Sequence, residues 1–185
     1  RWLTQLITMQ TTSHILMIRP VNFNYNEETA VNNAFQVKTA DAGIQQKALQ
    51  EFDGFVQILL ANGIDVTVLN DTPEPYTPDS IFPNNWISFH QDGTVLLYPM
   101  YAENRRAERK QHVIENIRQH FKVEKQIDLS NYERQGLFLE GTGSLVLDRD
   151  QHIAYACLSP RTNIAVLSDF CQKMGYMPIA FDSTD

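Results

Sequence analysis

Cysteine is scarce in this chain of 185 residues: Cys157 and Cys171 are the only two, too few for the disulfide framework that staples small secreted domains. Long apolar runs are missing as well. None approaches the roughly 18 residues that a membrane-crossing helix needs. The opening RWLTQLITMQTTSHILMI carries Gln, Thr, Ser and His where a signal peptide needs an unbroken apolar core. Positive charge is in the minority, 15 Lys plus Arg against 22 Asp plus Glu, for a formal charge of -7. The densest basic run, Arg105 to Lys110, is short and interrupted by Ala107 and Glu108, so it lacks the clustering that phosphate backbones require. There is no glycine-rich phosphate loop, and no histidine stands at a zinc-specifying distance from another histidine or a cysteine. These absences describe a cytoplasmic protein with no cofactor, no metal, no nucleic-acid partner and no membrane partner; monomer or homodimer is open. Because the chain starts at Arg1 and Met9 precedes the first patterned segment, residues 1–8 are read as non-native.

Hydrophobic residues make up 43% of the chain, enough at this length for a sizeable core. Their spacing is repetitive. A strand is expected at His14–Arg19, then a polar loop over Pro20–Val37. A helix follows from about Thr39 to Ala61, whose Ile44, Ala48, Phe52, Val56 and Leu60 recur every four residues, and then a strand at Ile64–Leu69. After the turn-rich Asn70–Asp79, a hairpin is expected at Trp86–His90 and Thr94–Tyr98, because Asp92-Gly93 supplies the positive-φ turn that right-twisted strands favour. A helix from about Asn104 to His120 and a strand at Val123–Ile127 complete that unit. A third unit repeats the order: strands at Ser144–Leu147 and Ile153–Leu158, a helix from about Pro160 to Met174, and a strand at Tyr176–Phe181. Strand, strand, helix, strand at near-constant spacing predicts an α/β protein of stacked or radially arranged units, about 14–69, 79–127 and 137–181, rather than one doubly wound sheet. Nothing in FDSTD caps the last unit, so the 185 residues are expected to be the N-terminal part of a larger domain.

Chemistry is sought among polar residues that these patterns leave unexplained. In Pro78–Trp86, Asp79, Asn84 and Asn85 sit at the entrance to a strand, where short side chains are held rigidly toward a common space. In Leu139–Ser144, Glu140 lies between an apolar approach and Gly141 and Gly143, which permit another group to come close. Two carboxylates at matching points of successive units suit a planar cationic head, and arginines suit a substrate carboxylate. Arg105 and Arg106 follow the second hairpin and Arg161 follows the third. A turn or cap role for Asp79, turn roles for Asn84 and Asn85, and a surface ion pair for Arg161 are the competing readings.

The stretches MIRPVNF, NNAFQ, PDSIFPNNWISFH, YPMYAENRRAER, LEGTGSLVLDR and AYACLSPRTN, spread over Met17–Asn163, resemble the amidinotransferase and arginine deiminase superfamily. Within it they are most similar to bacterial members proposed to be citrulline-utilisation hydrolases. The resemblance implies a five-bladed, pentein-type α/β propeller of ββαβ modules around a substrate channel, with about three modules here. It implies a hydrolase acting on a C–N bond of a guanidino or ureido compound such as citrulline or arginine. A cysteine thiolate would attack the planar carbon, and a histidine would serve as acid and base. By motif, Asp79 and Glu140 would be the carboxylates holding the substrate nitrogens. Arg105 and Arg161, with Arg106 as a competitor of Arg105, would receive the substrate carboxylate, and Asn84 and Asn85 would line the substrate head.

Asn84-Asn85 and Glu-Gly-Thr-Gly replace more acidic patterns in the better-known branches, which favours a neutral ureido group over a guanidinium. Cys157 and Cys171 read as buried small hydrophobes. In the superfamily the catalytic histidine follows the third module and the cysteine comes near the C terminus, so the resemblance implies that both lie beyond Asp185 and that the 185 residues alone are inactive. An amidinotransferase of the same superfamily, or a non-catalytic protein binding a guanidino or ureido ligand, are the alternatives.

Overall fold

The computed structural model describes residues 10–30, 38 and 43–183. The expected start of the long first helix at Thr39, the NNAFQ stretch and residues 1–8 lie outside the described residues. Among the described residues, eight strands form three separate sheets. In the first, β1 (His14–Arg19) pairs in parallel with β2 (Asp65–Asn70), register His14 to Asp65. A short turn of helix, α1 (Glu27–Ala30), and the long α2 (Ile44–Ala61) connect them. In the second, β3 (Ile87–Phe89) is antiparallel to β4 (Thr94–Leu97), which is parallel to β5 (Lys125–Asp128). The third repeats that order with β6 (Leu145–Asp148), β7 (Ile153–Cys157) and β8 (Met177–Phe181). The architecture is thus mixed α/β, with partial ββαβ units. Among the described residues, the first unit has two strands and none of the three sheets closes on itself.

Strand β4 explains how the units pack. Its Thr-Val-Leu-Leu run reads as continuously apolar because both faces are covered. Alternate side chains point to opposite faces, so Val95 and Leu97 enter a core with Ile18, Leu69, Trp86, Met100, Val113 and Ile117. Leu96, between them, enters a second core with Leu145, Ala154, Ala156, Val166, Leu167 and Phe170. On α2 the four-residue stripe buries Phe52 and Val56 but leaves Leu60 exposed. All five residues of β8 are exposed, Met177, Ile179 and Phe181 among them.

The expected helix from Asn104 to His120 is divided into α3 (Glu103–Arg106) and α4 (Gln111–His120). The cause lies in the intervening charges. Lys110 takes an extended backbone, φ -66° and ψ 139°, and its ammonium reaches Asp71 Oδ1 at 2.6 Å and Thr72 O at 2.9 Å. Arg109 donates to both oxygens of Glu133 at 2.8 Å and to Tyr98 O at 3.2 Å. Stranding one buried ion costs about 3–5 kcal/mol, whereas each lost backbone hydrogen bond costs roughly 1 kcal/mol, so pairing prevails over helical continuity. The last helix, α6, spans Ile164–Met174 and not Pro160–Met174: Asn163 caps it, its side chain accepting from Ala165 N at 2.9 Å.

Candidate active site

Two approach segments meet where the second and third units touch. The first leaves β2, turns through Thr77–Phe82, where Ser80 N donates to Thr77 O and Phe82 N to Asp79 O, and enters β3 through a helical turn at Pro83–Asn85. The second runs through Leu139, which is bridged to Thr162, into one helical turn, α5 (Gly141–Ser144). The two segments are in van der Waals contact. A methyl on Gly141 would stand inside contact distance of Asn84 O and 3.1 Å from Asn85 O; one on Gly143 would lie 2.6 Å from Asn85 Nδ2. Glycine is needed here for close backbone approach. Asn84 Nδ2 also donates to Thr142 Oγ1. The Asn84-Asn85 pair and the Gly-Thr-Gly stretch are therefore two halves of one joint.

Two buried carboxylates flank the joint, and both act on the charge of Arg105. Asp79 Oδ2 accepts from Asn26 Nδ2 at 2.7 Å and Thr29 Oγ1 at 3.1 Å. Glu140, 1% exposed, accepts from Tyr101 N at 3.1 Å through Oε1 and lies 3.5 Å from Arg161 Nη1 through Oε2. Ser144 Oγ accepts from Glu140 N at 2.9 Å and donates to Arg161 O at 2.8 Å, fixing the backbone on which both charges ride. Arg105 is charge-coupled to Asp79 and Glu140, and it is buried. Its own hydrogen bonds run elsewhere: to Glu108 Oε1 and Oε2 at 2.8 and 3.0 Å, Phe82 O at 3.1 Å and Asp79 O at 3.4 Å. Burial opposes the Arg105 charge, but Glu108, Asp79 and Glu140 more than restore it, and its pKa stands above the ordinary guanidinium value. Glu108 moves the other way. Burial pushes its carboxyl up to about 7, against the pull of Arg105 and with the help of Asp79 and Asp71.

The other two arginines divide. Arg106 donates to Met100 O at 2.9 Å and Tyr101 O at 2.8 Å, and its guanidinium lies over the Phe138 ring, 5.5 Å from the centroid. Arg161 makes its ion pair with Glu140 and, among the described residues, no side-chain hydrogen bond, and 28% of its side chain is exposed. Asn26, Thr29 and Glu108 were not singled out in the sequence. Asn-x-x-Thr in a polar loop looks like an ordinary turn, and Glu108 looks like one charge of a solvated helix; the spacing of Asn26 and Thr29, one helical turn apart on the same side, is the signal that was available.

Neither cysteine is fully exposed. Burial raises the Cys171 thiol to about 11, and Cys157 is half-buried. Ser88 and His90 form a hydrogen bond of 2.9 Å beside an open hollow of about 1380 Å³, whose wall includes Asn84, Gly141 and Thr142 but neither Asp79 nor Glu140. Arg149 can only donate, and it lies 3.1 Å from His90 Nδ1, so Nδ1 accepts and the proton sits on Nε2. His90 therefore donates to Ser88 and is no base for it. Among the described residues no group of three or more His, Cys, Asp or Glu side chains could hold a metal ion. None of their helices is long and apolar enough to cross a membrane.

Solved structures place this arrangement in a known fold. The N-terminal domain of ArgZ, a cyanobacterial arginine dihydrolase, bound to substrate, matches with a TM-score of 0.66 at 16% identity, over 93% of this chain and 58% of that one. DDAH from Pseudomonas aeruginosa, complexed with citrulline, matches with a TM-score of 0.64 at 18% identity, over 93% of this chain and 61% of that one. A dimethylarginine dimethylaminohydrolase adduct with S-methyl-L-thiocitrulline gives 0.63 at 19% identity, over 93% and 61%. The fold is that of the pentein superfamily, which unites arginine deiminases and dimethylarginine hydrolases. At the level of sequence, the family model for N,N dimethylarginine dimethylhydrolase, eukaryotic, matches residues 19–185, and the chain belongs to that family. No curated protein matches the sequence. The chain spans about 61% of the length of the dimethylarginine hydrolase structures it matches.

Proposed function

We propose that this chain is the N-terminal part of a hydrolase that cleaves a C–N bond of a guanidino or ureido compound, with citrulline, arginine or a methylated arginine as the substrate class. The observation that carries the reading is the joint of Asn84-Asn85 on Gly141–Gly143, flanked by the buried Asp79 and Glu140, both of which act on the charge of Arg105. Two rigid carboxylates accept hydrogen bonds from the substrate nitrogens and orient the planar carbon for attack. Arg161, with unused donors beside Glu140, receives the substrate carboxylate. Arg105 and Arg106 donate to backbone carbonyls and to Glu108, which suits them to bracing the walls.

In the complete ring of five ββαβ modules, a cysteine thiolate from beyond Asp185 adds to the carbon. The C–N bond breaks as a histidine delivers a proton to the departing nitrogen, and water activated by the same histidine then displaces the thiolate to release the product. The shortage of acidic groups around Asn84 and Asn85 favours a neutral ureido head, because a cation held with too few anions loses several kcal/mol of solvation. The test is ammonia or amine release by the full-length protein and by its Asp79→Asn and Glu140→Gln variants, with citrulline, arginine and methylated arginine as substrates. Each variant is expected to lose at least about 100-fold in kcat/KM. Wild-type turnover in both variants would overturn the site, and a preference for arginine would overturn the ureido choice alone.

A further inference from the structure

We infer that Asn26 and Thr29 are positioning residues for Asp79, setting the orientation in which its carboxylate meets the substrate nitrogens; this rests on the reading of Asp79 given above. Both donors converge on one oxygen, Oδ2, at 2.7 and 3.1 Å, and among the described residues no hydrogen bond reaches Oδ1. A carboxylate held by one oxygen cannot rotate without breaking both bonds, so its other oxygen keeps a fixed direction.

The clamp is itself held. Asn104 Nδ2 donates to Asn26 Oδ1 at 2.7 Å and Glu28 N donates to the same atom at 3.2 Å, which leaves the Asn26 NH₂ group turned toward Asp79. Among the described residues, the Thr29 hydroxyl has two acceptors in reach, Asp79 Oδ2 at 3.1 Å and Asn26 O at 3.3 Å; the nearer one is a carboxylate and the stronger acceptor. Asn26 and Thr29 are 1% and 7% exposed, so water does not compete well for these bonds. Asp79 lies 53 and 50 residues further along the chain, so the contact also ties α1 to the segment that enters β3.

The experiment compares Thr29→Val, Thr29→Ser, Asn26→Leu and Asp79→Asn in the full-length enzyme, measuring kcat/KM for the best substrate together with Tm. Thr29→Val keeps the shape and removes the donor. It is expected to lower kcat/KM about 10-fold, the equivalent of one hydrogen bond to a charge, with Tm moved by only a few degrees. Thr29→Ser keeps the donor and is expected to stay within about two-fold of wild type. Asn26→Leu gives an independent arm should the valine variant fail to fold. If Asp79→Asn is inactive while Thr29→Val and Asn26→Leu match wild type, the clamp is wrong and the carboxylate reading survives. An equal loss in Thr29→Ser and Thr29→Val overturns the positioning role in favour of packing. Wild-type turnover by Asp79→Asn overturns both readings.

Discussion

Arg105 grips Glu108 with a two-pronged hydrogen bond, Nε to Oε1 at 2.8 Å and Nη2 to Oε2 at 3.0 Å, three residues apart and both buried. The pair carries a pH dependence that follows from Glu108. Its folded pKa of about 7 lies above the ordinary 4.5, so between those values the folded state holds more protons than the unfolded one. Stability from this group is present below about 4.5 and is lost as pH rises through about 7. Glu108→Gln removes that loss. Thermal melts of the two proteins from pH 5 to pH 8 should show the variant gaining on wild type as pH rises; parallel curves would refute the shift.

His90 has the opposite linkage. Burial first, and then the nearby Arg149, bring its pKa down from 6.5 to about 4, so its contribution is present above about 6.5 and is lost as pH falls toward about 4. A His90→Asn variant should be less stable than wild type at pH 7.5, and the gap should narrow toward pH 4.5. Denaturant unfolding at the two pH values measures it.

Gly141 and Gly143 should differ in tolerance. An alanine at Gly141 pushes on backbone, Asn84 O and Asn85 O, which can yield only by opening the joint. It is expected to cost about 1–3 kcal/mol, as overpacking does. At Gly143 the first obstacle is the Asn85 side-chain amide, which can rotate aside, so Gly143→Ala should cost less. Chemical denaturation of both variants checks the order.

Arg161 is expected to act on binding more than on turnover. Arg161→Ala in the full-length enzyme should raise KM about 10-fold or more, with a smaller change in kcat, because the substrate-carboxylate contact proposed for it would be made equally in the ground and transition states. Steady-state kinetics with a substrate lacking the carboxylate should show no difference between variant and wild type.

The elements that follow from local rules were legible in the sequence. Strand β2 and the hairpin β3–β4 could be read because the alternation of Ile64, Val66 and Val68 with Asp65 and Thr67 and the Asp92-Gly93 turn are encoded within a few residues, and Gly93 has φ 80°. The division between α3 and α4 could not be read, since its causes, Asp71 and Glu133, stand 39 and 24 residues from the lysine and arginine they hold. The same limit governs the candidate site. Asp79 and Glu140 stood out because strand and helix patterning left them unexplained. Asn26 and Thr29 gain meaning only when a segment 50 residues away folds onto them.

Gln10 donates to Asp148 Oδ1 at 2.7 Å and accepts from Arg149 N at 2.9 Å. The stretch just ahead of β1 thus finds these partners on the β6–β7 turn, 138 and 139 residues later. During synthesis, at about 5–20 residues per second, that stretch waits many seconds before its partners leave the ribosome. Strand β1 can pair with β2 as soon as Asn70 has emerged, but Gln10 ahead of it is held by these partners only after the β6–β7 turn has been made.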